Sequence, residues 1–221
     1  MTAESVITDR VAEMHAAMAS QPPNEVMGAF TREQAELAAA GVPAGVAAPG
    51  TRLADAALLD VHGSPTSLYA ATGDGTAVLV LYRGVWCPYC NVALSAYQQH
   101  LLPALTARGV RLVAVSPQAS DGSLSMQEKH DLAFSVLSDP GNAIARALGT
   151  LTRPTDEARA AQLELGLDLT AVNADGTVGV PMPTVAILDA DHVLRWIDVH
   201  PDYTTRTEPA QVLAALDQLA R

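Results

Sequence analysis

The sequence predicts an α/β fold, with a mixed central sheet, helices on both faces and an N-terminal helical extension. Two observations set the sheet and a third sets the extension. Residues 77–82 and 110–116 are nearly continuous apolar runs, the mark of strands buried on both faces, and the helical spacing of Cys90, Leu94, Tyr97 and Leu101 lies between them. Two such strands joined by a helix pair parallel through a crossover. Residues 184–188 and 193–199 are strand-like runs separated only by Asp189-Ala190-Asp191-His192, which makes an antiparallel hairpin. Ahead of the sheet, residues 1–40 carry two helical patterns that end in the breaker-rich stretch Gly41, Pro43, Gly45, Pro49, Gly50.

In the first helical segment Ile7, Val11, Met14 and Met18 share a face, and Gln21-Pro22-Pro23 stops it. The second runs over about 24–40, with Val26, Phe30 and Leu37 on one face. Both apolar faces need a partner, so they cover the domain or form a dimer contact. The expected division is an extension over 1–47 and a domain over 48–221. Within the domain, 58–61 reads as a short strand before the turn His62-Gly63-Ser64-Pro65. Residues 123–131 read as a helix, 134–137 as a strand and 142–148 as a helix ended by Gly149. Residues 150–180 carry little signal beyond a helix over 157–165. The last helix, 208–220, buries Val212, Leu213, Leu216 and Leu219. This order of elements is that of a thioredoxin-like fold.

Composition narrows the function. Hydrophobic residues make up 49% of the 221 and charged residues 17%, a globular mixture. A formal net charge of −11 argues against nucleic acid or an anionic membrane as partner. No run approaches the length of a membrane span, and the first twenty residues lack the basic start and apolar block of a secretory signal. The expected compartment is the cytoplasm, where a lone Cys-x-x-Cys reads as catalytic or metal-binding rather than as a structural staple.

The chain's only two cysteines sit in Trp86-Cys87-Pro88-Tyr89-Cys90, where strand hands over to helix. Pro88 suits the first helical position, which makes Cys87 the N-cap, its sulfur near free N–H groups and the positive end of the helix dipole. That geometry predicts Cys87 as the exposed, activated nucleophile and Cys90, one turn in, as the buried resolving partner. Arg83, just before, adds positive charge. A zinc or iron–sulfur site would need further ligands from His100, His130, His192 or His200, and these form no second tight pair. No metal or cofactor is therefore expected. Met182-Pro183-Thr184 is a second candidate, with a proline before a strand set to be cis and to approach the cysteines, as in thioredoxin-like proteins.

The chain resembles the peroxiredoxin superfamily, in its alkyl hydroperoxide reductase/thiol-specific antioxidant branch. The resemblance covers about 48–220. It rests on the segment from Val78 through Tyr82-Arg83-Gly84-Val85 to Cys90, on Val113-Ala114-Val115-Ser116-Pro117, on Val136-Leu137-Ser138-Asp139 and on the hairpin 184–199. The ending His200-Pro201-Asp202-Tyr203-Thr204-Thr205-Arg206-Thr207-Glu208-Pro209 is similar to a bacterial subgroup that carries Trp-Cys-Pro-Tyr-Cys. The family's Pro-x-x-x-Thr-x-x-Cys motif, counted back from Cys90, puts Cys87 at the threonine position and Arg83 at the proline position. By that alignment Cys90 attacks peroxide, the reverse of the helix-cap assignment, and the order of the two sulfurs stays open. The family's active-site arginine has three candidate matches here, Arg83, Arg153 and Arg195.

The resemblance implies an antioxidant oxidoreductase, a peroxidase that reduces hydrogen peroxide or organic hydroperoxides through a Cys87/Cys90 dithiol–disulfide cycle. Trp86, Pro88, Tyr89, Pro183 and Thr184 shape its site, a thioredoxin-like dithiol is its reductant, and a homodimer is its expected assembly. The alternatives are a thioredoxin-like protein-disulfide oxidoreductase and a non-catalytic redox-sensing module.

Overall fold

The protein is described by a computed structural model covering residues 5–19 and 25–220. The predicted stop at Gln21-Pro22-Pro23 lies outside the described residues. The elements, in order, are α1 (Val6–Ala19), α2 (Glu25–Ala40), β1 (Ala57–Leu59), β2 (Pro65–Ser67), α3 (Leu68–Thr72), β3 (Ala77–Leu81), α4 (Pro88–Ala96), α5 (Leu102–Ala107), β4 (Arg111–Ser116), α6 (Ser120–Lys129), β5 (Ser135–Ser138), α7 (Ala143–Ala147), β6 (Leu151–Thr152), α8 (Asp156–Glu164), α9 (Leu169–Val172), β7 (Val180–Pro181), β8 (Thr184–Leu188), β9 (Leu194–Val199) and α10 (Pro209–Leu219). Seven strands form one mixed sheet in the order β2-β1-β5-β4-β3-β8-β9, and β6 and β7 make a separate two-stranded ribbon. As expected from the crossover, β3 and β4 run parallel, with Val80 opposite Ala114. β8 pairs antiparallel with both β3 and β9.

The continuous apolar runs follow from the two covered faces. Val78, Val80, Ala114 and Val136 join one buried cluster with Leu94, Tyr97 and Val212. Their neighbours Leu79, Leu81, Val113, Val115 and Leu137 join another with Leu68, Ile144 and Leu148. Alternate residues thus feed opposite cores, so nearly every position along β3 and β4 must be apolar.

The helix after the cysteines is not regular. Between α4 and α5 the chain makes a π-helical turn over Tyr97–Leu101. Pro103 supplies the cause: it lacks an N–H, and its ring crowds the carbonyl four residues back, so the helix widens just ahead of it. Residues 150–180, weak in sequence signal, fold into β6, α8, α9 and β7, elements of two to nine residues.

The N-terminal helices pack on the chain's own domain, α1 on α4 and α2 on α8. Val6, Ile7 and Val11 of α1 are buried in the same cluster as Leu94 and Tyr97, so the face of α1 no longer argues for a dimer contact. The Glu208 carboxylate accepts the α1 amides of Ile7 (3.0 Å) and Thr8 (2.8 Å) and the Thr8 hydroxyl (2.8 Å). It satisfies free N–H groups of one helix from the N-cap of another. On α2 the buried Glu33 accepts from the Thr155 amide (2.8 Å) and the Tyr203 hydroxyl (2.9 Å). Among the described residues no helix is long and apolar enough to cross a membrane.

Replacing Glu208 by Ala removes three hydrogen bonds at a buried helix end. Denaturant unfolding is expected to show a loss of roughly 1–3 kcal/mol, with amide exchange accelerated first in α1. Unchanged exchange in α1 would show that the clamp does not hold that helix.

Candidate active site: a buried dithiol

The loop between β3 and α4 is shaped by its own backbone and by two amides from other elements. Gly84 has φ 153°, and a Cβ there would stand 2.4 Å from the Trp86 indole nitrogen. Only glycine fits. The Val85 amide donates to Gln118 Oε1 (2.9 Å), and Asn91 Nδ2 donates to the carbonyls of Val85 and Cys87, both at 2.7 Å. His130 holds the far side of Asn91 at 2.8 Å. The loop therefore delivers Cys87 to the N-cap of α4 and Cys90 to its first turn.

Both cysteines are free thiols and both are buried, Cys87 at 1% exposure and Cys90 at 0%. Cys87 stands at the N-cap and Cys90 is fully buried, as expected, but the expectation of an exposed and activated Cys87 is corrected. Its sulfur is buried and makes no cap hydrogen bond, and burial, with the bond it shares with Cys90, pushes its pKa well up. The donors instead converge on Cys90. Arg206 Nη2 lies 3.2 Å from Cys90 Sγ and 3.8 Å from Cys87 Sγ, and the Arg83 amide donates to Cys90 Sγ at 3.5 Å. Burial opposes ionisation of Cys90. The Cys87 S–H bond, the Arg206 charge and the Arg83 amide outweigh it and hold the Cys90 pKa well below that of an ordinary thiol.

Arg206 is none of the three arginines that the family resemblance offers, Arg83, Arg153 and Arg195. It sits in the loop between β9 and α10, 8% exposed, its Nη1 donating to the carbonyls of Tyr203 (2.5 Å) and Thr205 (2.6 Å). Arg83 contributes its amide to Cys90, while its guanidinium stacks over the Tyr203 ring at 3.8 Å and lies 5.1 Å from the Trp86 ring. Arg195 pairs with Asp189 instead, and Arg153, in the segment between β6 and α8, is exposed.

Pro183 and Thr184 reach the site, but not as expected: no cis peptide bond occurs among the described residues, so Pro183 is trans. Its carbonyl accepts the His200 amide (2.9 Å), and the Thr184 hydroxyl donates to the Met182 carbonyl (2.8 Å). Both residues, with Cys90, Tyr97, His200 and Arg206, line a cavity of about 10 Å³, room for about one water-sized molecule. Cys87 faces a different space. With Trp86, Pro88 and Tyr89 it lines a groove of about 370 Å³ whose other walls include Met27 and Phe30 of α2 and Leu165 after α8. Tyr89 is tied to α1 by a 2.9 Å bond between its hydroxyl and His15 Nε2.

Three of the four histidines that could have held a metal have other partners: His130 bonds Asn91, His192 bonds Thr72 and stacks on Tyr69, and His200 bonds Asp198. Among the described residues no group of three or more His, Cys, Asp or Glu side chains is placed to hold a metal ion.

Residues 49–197 match the AhpC/TSA family, a segment that stops short of Arg206. No curated protein matches the chain. Solved structures similar to it include reduced Prx3 of Vibrio vulnificus in complex with hydrogen peroxide (20% identity, 77% of this chain and 99% of that one, TM-score 0.62). Others are a peroxiredoxin-like protein of Aquifex aeolicus (15%, 79% and 89%, 0.61) and peroxidoxin BcpB of Mycobacterium tuberculosis (19%, 78% and 96%, 0.59). At these identities the likeness establishes the fold.

The electrostatic assignment has a direct check. In a Cys87→Ser background, Arg206→Met is expected to move the inflection of the Cys90 thiolate absorbance in the far ultraviolet up by about 1–3 pH units. The absorbance follows thiolate, so it falls as pH drops through the pKa, and the loss should come at higher pH without the guanidinium. An unmoved inflection would remove Arg206 from the explanation.

Proposed function

The chain belongs to the AhpC/TSA family, and from that premise we propose that it is a thiol-dependent peroxidase in which Cys90 attacks the hydroperoxide and Cys87 resolves. The observation that carries the order of the sulfurs is the convergence of Arg206, at 3.2 Å, and the Arg83 amide on Cys90. It agrees with the motif alignment and not with the helix-cap assignment.

The Cys90 thiolate attacks one oxygen of the hydroperoxide, an S–O bond forms and the O–O bond breaks. The leaving oxygen takes a proton from Cys87, the thiol that donates to Cys90 in the resting site, so that an alcohol or water departs and Cys90 becomes a sulfenic acid. The Cys87 thiolate then attacks the Cys90 sulfur and expels hydroxide, which leaves as water after protonation. The product is an intramolecular disulfide, and a thioredoxin-like or other dithiol restores the pair by exchange. In this reading residues 1–47 are an extension that walls the site of a domain spanning 48–221. The protein-disulfide oxidoreductase reading is less well supported, because it needs the outer sulfur activated, whereas Arg206 and the Arg83 amide converge on Cys90.

Single-turnover assays with reduced protein test the order. Wild type is expected to lose both free thiols to peroxide without forming a covalent dimer. Cys87→Ser should consume about one equivalent and yield a sulfenic acid trapped by dimedone, and Cys90→Ser should consume none. Peroxide consumption by Cys90→Ser would reverse the assignment.

The cavity beside Cys90 sets a second expectation. Hydrogen peroxide, little larger than water, should oxidise Cys90 at least about tenfold faster than cumene hydroperoxide, since forcing bulk into a packed site costs roughly 1–3 kcal/mol. Equal second-order rate constants would sink it.

A further inference from the structure

The two sulfurs face different spaces, and only one of those spaces is large. The cavity at Cys90 has room for about one water-sized molecule, whereas the groove at Cys87, at about 370 Å³, falls in the range of about 300–1,000 Å³ typical of small-molecule sites. In the oxidised protein the sulfur reached from the groove is Cys87, and the sulfur expelled by attack there is Cys90, whose thiolate Arg206 and the Arg83 amide already hold. We propose that this groove is the entry site of the reductant, and that the reductant is a low-mass dithiol on an uncharged apolar chain that ends in a hydrogen-bond donor. The inference rests on the dithiol–disulfide cycle proposed above and deepens it.

Three features of the groove select that chemistry. Its walls are mostly apolar: Met27 and Phe30 on one side, Leu165 and Leu167 on another, Trp86 near the sulfur. Arg83 is the one charged side chain among the described residues lining it, and its guanidinium is engaged by the Tyr203 ring at 3.8 Å. An anionic thiol therefore finds little to pair with, and a chain of net charge −11 repels it at a distance. Gln162 supplies the third feature. It is 3% exposed, lines the groove, and its Oε1 is buried without a hydrogen-bond partner. A buried acceptor left unpaired is unfavourable, and a ligand amide or hydroxyl donor would satisfy it.

Burial argues for a small molecule over a folded protein. Cys87 is 1% exposed, so an attacking thiol must reach it from within the groove. A thiol on a slender chain enters such a space more readily than one fixed on the surface of a folded partner. The step balances as ordinary exchange. One thiolate of the ligand attacks Cys87 Sγ, the Cys87–Cys90 bond breaks and its electron pair leaves on Cys90. The ligand's second thiolate then attacks the first ligand sulfur, releases Cys87, which takes a proton, and departs as the cyclic disulfide.

The test uses the full chain oxidised to the Cys87–Cys90 disulfide with diamide, so that it does not depend on peroxide. Dihydrolipoamide, with an apolar chain ending in a carboxamide, is compared with dithiothreitol, a dithiol without the chain, and with thioredoxin, by thiol titration of quenched samples. Reduction by dihydrolipoamide is expected to saturate and, below saturation, to be at least about tenfold faster than by dithiothreitol, the effect of about 1.4 kcal/mol of chain binding. Leu165→Glu, at a position 56% exposed and so tolerant of change, should lower the ratio of the two rates about tenfold through a carboxylate at the apolar wall. A ratio near one, a ratio untouched by Leu165→Glu, or a larger second-order rate constant for thioredoxin would overturn the proposal. Failure of peroxide to form the disulfide, with diamide-oxidised protein still showing the expected preference, would strike the peroxidase reading and leave the groove assignment standing.

Discussion

The contact between the Arg206 guanidinium and the two buried sulfurs is the constraint around which the site is arranged. A guanidinium at 8% exposure is costly unless it is paired and hydrogen-bonded. Two of its bonds go to the Tyr203 and Thr205 carbonyls, and its outer nitrogen is left for Cys90 and Cys87. Burial acts on both partners. It raises the cost of each charge separately and strengthens their attraction, so the thiolate and the guanidinium each depend on the other. The loop carrying Arg206 is accordingly pinned along its length. His200 donates its amide to Pro183, the Tyr97 hydroxyl donates to the Thr207 carbonyl, and the Glu208 amide donates to Gln211 Oε1 as α10 begins.

That same loop joins the N-terminal helices to the reaction centre. Within six residues it presents Tyr203 to Glu33 of α2 and to the Arg83 ring stack, Arg206 to the sulfurs, and Glu208 to the first turn of α1. The helices are therefore not an outer layer laid over a finished site. Through Glu33, His15, Met27 and Phe30 they touch the residues that flank Cys87 and wall the groove above it.

Much of the frame was legible because periodicity reports burial. Parallel pairing of β3 with β4, the β8–β9 hairpin and the placement of the cysteines at a strand-to-helix junction all follow from apolar runs and one Cys-x-x-Cys. The site was less legible because its decisive contacts are tertiary. A helix N-cap predicts an activated Cys87 only if its sulfur stays near free amides and solvent, whereas tertiary packing buries it and brings a cation closer to Cys90. Arg206 was nonetheless within reach of a register argument. Leu81 at the end of β3 pairs with Thr184, and Thr184 pairs with Val199 at the end of β9. The chain leaving β9 must therefore emerge beside the chain leaving β3, and the first arginine after that point is Arg206. Buried Glu33 and Glu208 carried no such signal, since a carboxylate on an amphipathic helix reads as solvated until its partners are known.

In the proposed cycle the Arg206 contact acts in both half-reactions. Stabilising the Cys90 thiolate supplies the nucleophile for the hydroperoxide, and it also makes Cys90 the better leaving group when a reductant attacks Cys87. Stabilising the thiolate favours the dithiol over the disulfide, which raises the reduction potential and eases regeneration. Oxidation withdraws the anion and leaves the guanidinium with the Tyr203 and Thr205 carbonyls alone, so the disulfide state carries the cost of a buried, less compensated charge. The opposing effect is that a thiolate loses nucleophilicity as its pKa falls. A site that must both attack and leave therefore gains from a low pKa only up to a point. Burial works against the Cys90 charge and so opposes the arginine in that balance.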